Sequence, residues 1–281
     1  MNQLNLNGVL QAADQPIFCA DNRAFHYGDG LFETIRVFQG KIPFLKYHLE
    51  RLTKGMQSLR LIQPALQNLD FVATEIYKLI GRSGNFRVRL TVFRNGAGLY
   101  TPTDLNASFL IEAQTLSTDN FVLNDHGLKI GLCDSVQLFP TATSSLKTCN
   151  ALPYILAGLY KKEHQLDDCL LLNHQQRIAE ASSANIFLVS EKEIWTPPLS
   201  EACLDGTCRK LILKIARNLN FAINEIPLSL SRMETVEEVW LSNAISGLRW
   251  VAQFKDQHYG KLIATTFVQS LQKLVIEADI K

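Results

Sequence analysis

Between residues 86 and 93 the chain alternates without a break. Phe86, Val88, Leu90 and Val92 take turns with Arg87, Arg89, Thr91 and Phe93. A period of two marks a strand with one face buried, so the first part of the chain must build a sheet with a covered side. Two helical patterns precede it. From Phe44 to Leu61, Leu45, Leu49, Leu52, Met56 and Leu59 fall on one face at helical spacing, and Leu69 to Ile80 repeats the pattern. Arg51 lies beside the first stripe. It reads as a surface arginine unless a pocket lies there.

The other elements follow in order. Leu4 to Phe18 predicts a short hairpin turning at Asn7-Gly8. Residues 22–37 hold a polar loop with Arg23, His26, Tyr27, Gly28 and Gly30, feeding a β-prone run from Phe32 to Phe38 that also carries Glu33, Thr34 and Arg36. Arg94 opens a glycine-rich loop to Tyr100, and Ser108 to Ala113 is a strand. Gln114 to Gly127 is polar and broken, which divides the chain into a small domain at 1–115, a linker at 116–127 and a larger domain at 128–281. In the larger part, Leu128, Ile130 and Leu132 alternate as a strand, and Ala151 to Tyr160 reads as a helix. Cys169 to Asn173 and Arg177 to Val189 read as strands joined by a turn at His174-Gln175-Gln176. Lys210 to Leu219 is a helix and Val239 to Ser242 a strand with a turn after it. Leu262 to Ile280 is a closing helix.

Composition removes several classes of function. A net charge of +1 gives no electrostatic reason to bind nucleic acid or a charged membrane surface. No apolar run is long enough to span a bilayer, and residues 1–5 carry no signal-peptide pattern. The six cysteines form no CxxC and no ligand spacing with histidine, so no metal is expected; they read as reduced thiols of a cytoplasmic protein.

Four features carry chemistry. Lys147 lies among small and apolar residues just before a helix. A lysine in such surroundings is desolvated, and its neutral amine can form an imine with a carbonyl; taken alone, it reads first as a lysine whose ammonium reaches solvent. Glu180 lies in a strand of small and apolar residues, where a carboxylate is costly to bury without a cationic partner. Gly206, Thr207 and Cys208 open a helix whose free N–H groups can bind an anion. Arg51 is a further cation. Pyridoxal phosphate (PLP) needs this set: an amine for its aldehyde, an acid facing its pyridine nitrogen and an anchor for its phosphate.

The chain also resembles the fold-type IV PLP enzymes, the class IV aminotransferase family. That group comprises branched-chain aminotransferases, D-amino acid aminotransferases and 4-amino-4-deoxychorismate lyases. The resemblance rests on six stretches in order: Arg23 to Thr34, His48 to Leu52, Lys147 to Asn150, Glu180 to Phe187, Gly206 to Arg209 and Ser242 to Ala244. It implies a two-domain α/β (α+β) fold and a homodimer. It makes Lys147 the imine-forming catalytic lysine, Glu180 the partner of the pyridine nitrogen and Arg51 a phosphate ligand. Gly206, Thr207, Cys208, Asn150, Asn243 and Ala244 complete the cofactor-binding set.

Departures within the family favour the lyases. Thr34 stands where branched-chain aminotransferases usually have glycine, Leu152 where they carry a tyrosine, and Ala244 where they carry a threonine. The resemblance therefore implies conversion of aminodeoxychorismate to 4-aminobenzoate and pyruvate, a folate-precursor step, with aminotransfer from branched-chain or D-amino acids to 2-oxoglutarate as the alternative. Tyr27, Phe32 and Thr34 are expected to line the substrate pocket. Arg94 and Arg249 are the expected holders of substrate carboxylates; read alone, Arg249 is an outward-facing strand residue.

Overall fold

The computed structural model describes residues 2–278. They form two compact units, one of residues 2–120 with Leu146–Asn150, the other of Phe121–Ser145 with Ala151–Glu277. The chain thus returns to the first unit for five residues around Lys147.

In the first unit, β1 (Gln3–Leu6) and β2 (Val9–Ala12) form the expected hairpin. Its turn residues Asn7 and Gly8 have φ of 51° and 89°, the left-handed pair that such a turn demands. Where the sequence predicts a loop there is a short helix, α1 (Arg23–Tyr27). The Asn22 side chain caps it by accepting from the Ala24 and Phe25 amides, and it ends on left-handed Gly28. Then come β3 (Gly30–Val37), α2 (Leu45–Leu59), α3 (Leu69–Ile80), β4 (Phe86–Arg94) and β5 (Ala107–Thr115). The strands make an antiparallel sheet in the order β2-β1-β5-β4-β3.

Leu31, Ile35, Val88, Leu90, Val92 and Ile111 point to one side of that sheet and meet Leu45, Leu49, Leu52 and Met56 of α2 and Val72 and Ile76 of α3. Each such buried side chain contributes about 1.5–3 kcal/mol, so this layer holds β3 and β4 in register. Gly55 lets α2 approach β3, since a Cβ there would meet Leu31 Cδ1 at 2.7 Å. The other side of the strands carries Phe32 opposite Thr91 and Thr34 opposite Arg89. The lysine segment runs antiparallel along the edge of β3. The Phe32 amide donates to the Lys147 carbonyl at 2.8 Å, the Cys149 amide to the Gly30 carbonyl at 2.9 Å, and Leu31 bridges Thr148.

The second unit contains β6 (Leu128–Leu138), α4 (Leu152–Glu163), β7 (Asp168–Asn173), β8 (Ile178–Ala181), β9 (Asn185–Ser190) and β10 (Glu193–Thr196). It continues with α5 (Thr207–Asn218), β11 (Ala222–Glu225), β12 (Glu238–Asn243), β13 (Gly247–Phe254), β14 (Gln257–His258) and α6 (Leu262–Glu277). Its sheet has the order β11-β10-β9-β12-β13-β6-β7-β8, with β14 paired to β13. The pairs β10–β11, β13–β6 and β6–β7 are parallel and the others antiparallel. Ile280, where the sequence predicts the last helix to end, lies outside the described residues.

The single strand expected from Arg177 to Val189 is two. The chain breaks at Ser182-Ser183 because buried Asp168 captures it: the Ser182 amide and hydroxyl donate to Asp168 Oδ1 at 3.1 and 2.5 Å, and the Ser183 hydroxyl to Oδ2 at 2.9 Å. Hydrogen bonds to a carboxylate are stronger than those of a ladder between neutral groups, so the serines leave the strand.

Candidate active site

In the first unit the lysine edge places Lys147 beside Phe32. Its Nζ lies 4.5 Å from the Phe32 ring centroid. The guanidinium of Arg89, from the neighbouring strand, has its Cζ 3.8 Å from the same centroid, and Arg89 Nε donates to Thr91 Oγ1 at 3.2 Å. Thr34 is the cross-strand partner of Arg89. An amine, a guanidinium, a hydroxyl and an aromatic ring therefore share one half-buried surface. Arg89 was not among the residues expected from sequence. It belongs to the polar half of the alternating strand, and nothing in that pattern separates it from Arg87, which is exposed.

Glu33 points from β3 into the core side, where it would be costly without partners. Arg51 of α2 supplies them: Nε donates to Oε1 at 2.8 Å and Nη2 to Oε2 at 2.5 Å. His48 Nδ1 lies 2.7 Å from Oε2. Burial pushes the Glu33 carboxyl up, but the Arg51 charge and the hydrogen bonds from His48 and Arg51 outweigh it and hold it at about 2. Burial, opposed by Glu33, holds the His48 imidazole below its ordinary value.

Arg94, an expected substrate residue, is engaged within the first unit. Its Nε donates to Asp29 at 2.8 Å, and its Nη1 and Nη2 donate to the carbonyls of Arg60 and Leu59 at 3.2 and 2.5 Å. It is buried and directed at the last turn of α2. Asp29 also accepts from Arg23 Nε at 2.9 Å. Arg23 in turn holds the glycine-rich loop by donating from Nη1 to the Gly98 and Leu99 carbonyls at 2.8 and 2.7 Å. Tyr27 lies against Arg23 and Tyr100, its ring centroid 5.0 Å from the Arg23 Cζ and 5.6 Å from the tilted ring of Tyr100. Asn150 rests against Gly28; a Cβ there would meet Asn150 Oδ1 at 2.7 Å.

In the second unit Glu180 is buried on β8 opposite Leu171. Its Oε1 accepts from the Tyr154 hydroxyl of α4 at 2.6 Å. Its Oε2 accepts from the Leu204 amide at 3.0 Å and faces Asn185 Nδ2 at 3.4 Å. Burial, together with the Glu180 charge and hydrogen bond, pushes the Tyr154 phenol above its ordinary value, so it remains a donor. Leu152, by contrast, is 70% exposed.

The loop that anchors Glu180 leads into the N-terminus of α5. Asn185 Nδ2 holds the Leu204 carbonyl at 2.8 Å, and its Oδ1 leaves no room for a side chain at 206, where a Cβ would come within 1.9 Å. Gly206 is the cap residue of α5, and no side chain caps the helix there. The amides of Thr207 and Cys208 follow in its first turn. Ser242, paired with Asn185 across β9 and β12, is buried; its Oγ makes no hydrogen bond among the described residues. Its neighbour is the Cys208 thiol, which burial pushes up to about 12 while the Ser242 hydroxyl acts the other way; the two are adjacent without hydrogen-bond geometry. An uncapped helix N-terminus and an orphaned hydroxyl in one place suit an anion. Asn243 is used locally: Oδ1 accepts from the Ile245 and Ser246 amides at 3.0 and 2.8 Å, and Nδ2 donates to the Ser183 carbonyl at 3.2 Å, so Ala244 lies in the turn that it shapes. Arg249 Nη2 lies 3.6 Å from Asp168 Oδ2, with a quarter of its side chain exposed (25%).

The family described as amino-transferase class IV matches residues 30–254. An aminodeoxychorismate lyase of Vibrio harveyi is 23% identical over 235 residues, 81% of this chain and 83% of that one. A probable branched-chain-amino-acid aminotransferase of Rickettsia felis is 29% identical over 218 residues, 75% of this chain and 72% of that one. Among solved structures, a branched-chain amino acid aminotransferase from Thermobaculum terrenum in its PLP-form has a TM-score of 0.84 at 16% identity, over 99% of this chain and 94% of that one.

Proposed function

Because the chain belongs to the class IV amino-transferase family, we propose that it is a PLP-dependent lyase that takes 4-amino-4-deoxychorismate to 4-aminobenzoate and pyruvate. The observation that carries the reading is the pairing of Lys147 with Arg89 over Phe32. One cation is a lysine amine suited to joining an aldehyde and moving a proton; the other suits a carboxylate.

The cofactor, when bound, supplies a pyridine ring that draws electrons from the carbon next to the substrate's amine. The residues present fit it. The Thr207 and Cys208 amides and the Ser242 hydroxyl would hold the phosphate at the start of α5; the family resemblance adds Arg51, which Glu33 orients within the first unit. Asn243 shapes the turn around Ala244 beside them. Glu180 would meet the pyridine nitrogen. Lys147 would accept the proton from the amine-bearing carbon at its Nζ. The electron pair of that C–H bond would become a double bond of the product ring as the enol-ether C–O bond breaks; the leaving group departs as the enolate of pyruvate, and a proton added at its terminal CH2 carbon makes pyruvate. Aromatisation of the remaining ring favours this direction, so the chain's work is positioning and charge placement. Arg89 would hold a substrate carboxylate, with Phe32, Thr34 and Tyr27 along the pocket. Arg249, tethered to Asp168, is the candidate for a second carboxylate.

Aminotransfer is the second reading, supported by the likeness to the Rickettsia felis aminotransferase. It uses the same Lys147 to carry a proton away from the amino acid. Incubation with aminodeoxychorismate separates the two: 4-aminobenzoate and pyruvate appear for the lyase. No release there, with turnover of leucine or D-alanine plus 2-oxoglutarate, overturns it. A homodimer belongs to the proposal, supported by exposed Phe25, Leu99 and Tyr100 on the first unit, apolar surface that a second copy would cover. Cytoplasmic location is supported by six unpaired thiols. No helix among the described residues is long and apolar enough to cross a membrane.

A further inference from the structure

Seven residues beyond Lys147, Tyr154 makes a contact that neither the motifs nor the proposed reaction assigns. Its hydroxyl donates to Glu180 Oε1 at 2.6 Å, shorter than an ordinary O–H···O bond between neutral groups. The second oxygen is taken from the other side by the Leu204 amide at 3.0 Å, with Asn185 Nδ2 at 3.4 Å. The carboxylate is thus gripped at both oxygens by three separate elements: α4, β9 and the loop before α5. Two ionisable groups of the second unit that feel its charge are the Tyr154 phenol and the Cys203 thiol; burial and the Glu180 charge push the thiol up to about 12. Neither carries a charge near neutral pH. What they present to the carboxylate is a hydrogen-bond donor and a neutral thiol.

We infer that Tyr154 is a positioning residue that sets how strongly Glu180 draws the proton of a bound pyridine nitrogen. This rests on the proposed reading of Glu180. A donor on Oε1 withdraws charge from the carboxylate and fixes its plane. With that donor in place the carboxylate pulls less on the pyridine proton, and the ring remains a stronger electron sink. Without it the carboxylate is more basic, and the ring becomes richer in electrons. The same bond links α4, the helix that follows the lysine segment, to the strand of the acid. The burial of the phenol and its raised ionisation keep the proton on Tyr154 across the working range.

The test uses the full-length protein loaded with PLP and the variant Tyr154→Phe, which keeps the ring and removes one oxygen. Absorbance of the bound cofactor is titrated against pH for both proteins. PLP affinity is measured in parallel, and far-UV circular dichroism checks the fold. The expected result is a titration midpoint displaced to higher pH by about half a unit to one unit, a part of the worth of one charge-assisted hydrogen bond, since the effect reaches the titrating group only through the pyridine ring. PLP affinity should change less than threefold, because the phosphate cup is untouched. Asn185→Ala, which removes the longer contact, should move the midpoint less than Tyr154→Phe does. Superimposable titrations of wild type and Tyr154→Phe, with both proteins holding PLP, overturn the role of Tyr154 and leave the proposed function standing. A wild-type protein with no cofactor band in the presence of PLP overturns both.

Discussion

The ammonium of Lys147 and the guanidinium of Arg89 lie over one aromatic ring, 4.5 and 3.8 Å from the centroid of Phe32. They come from different parts of the chain. The lysine arrives with the edge segment paired to β3, and the arginine stands on β4 opposite Thr34. That convergence puts an amine and a guanidinium on one surface of the first unit.

Arg89→Leu should therefore act on substrate binding. With the guanidinium gone, KM for a carboxylate-bearing substrate should rise about tenfold to a hundredfold, the worth of one charged hydrogen-bonded contact. The value of kcat should fall less. Steady-state kinetics check this, and an unchanged KM contradicts it.

Arg94→Ala should behave in the opposite way. Its donors serve Asp29 and the end of α2, and removing it leaves Asp29 with one arginine fewer in a half-buried place. Stability should fall by roughly 2–4 kcal/mol, seen as a lower melting temperature. KM of the loaded enzyme should stay within about twofold, since the change removes no substrate contact. A large rise in KM with unchanged melting would restore Arg94 to the substrate site.

Glu33 makes the first unit acid-sensitive. Its carboxyl is held at about 2 in the folded chain against 4.5 for the free group. A depressed value means stability that is complete above the unfolded value and lost as pH falls from about 4.5 toward 2. The loss is on the order of 3 kcal/mol. Thermal unfolding at stepped pH should show it, and Glu33→Gln should flatten that part of the curve while lowering stability at neutral pH. An equally steep curve in the variant would place the acid sensitivity elsewhere.

Gly206→Ala should damage the phosphate cup. The added Cβ would come within 1.9 Å of Asn185 Oδ1, so either Asn185 or the start of α5 must move. PLP affinity should drop at least about tenfold, one charge-assisted hydrogen bond's worth. Equilibrium titration with PLP measures it, and unchanged affinity would place the phosphate elsewhere.

Much of this was legible in the sequence where one local rule decided the outcome. The helix from Leu69 to Ile80 has the bounds that its periodicity predicts, with Asn68 capping it. The strict alternation at Phe86–Phe93 became β4, its apolar half in the core. Residues that depend on distant partners were not legible. Arg89 looked like the solvent face of a strand until Phe32 was brought beside it. Arg94 looked available until Asp29 and the end of α2 took its donors. Tyr154 was one apolar-helix residue among several until the fold set its hydroxyl against Glu180. Ser182-Ser183 read as strand because their composition allows it, and buried Asp168, fourteen residues earlier, decided otherwise.

The central claim is that Lys147 joins PLP covalently, and it can be read directly. The purified protein is incubated with PLP, reduced with borohydride and digested, and the peptides are analysed by mass spectrometry. The account predicts a phosphopyridoxyl group on Lys147 in the wild type, and no such adduct in a folded Lys147→Ala variant. An unmodified Lys147, or the adduct on another lysine, would contradict it.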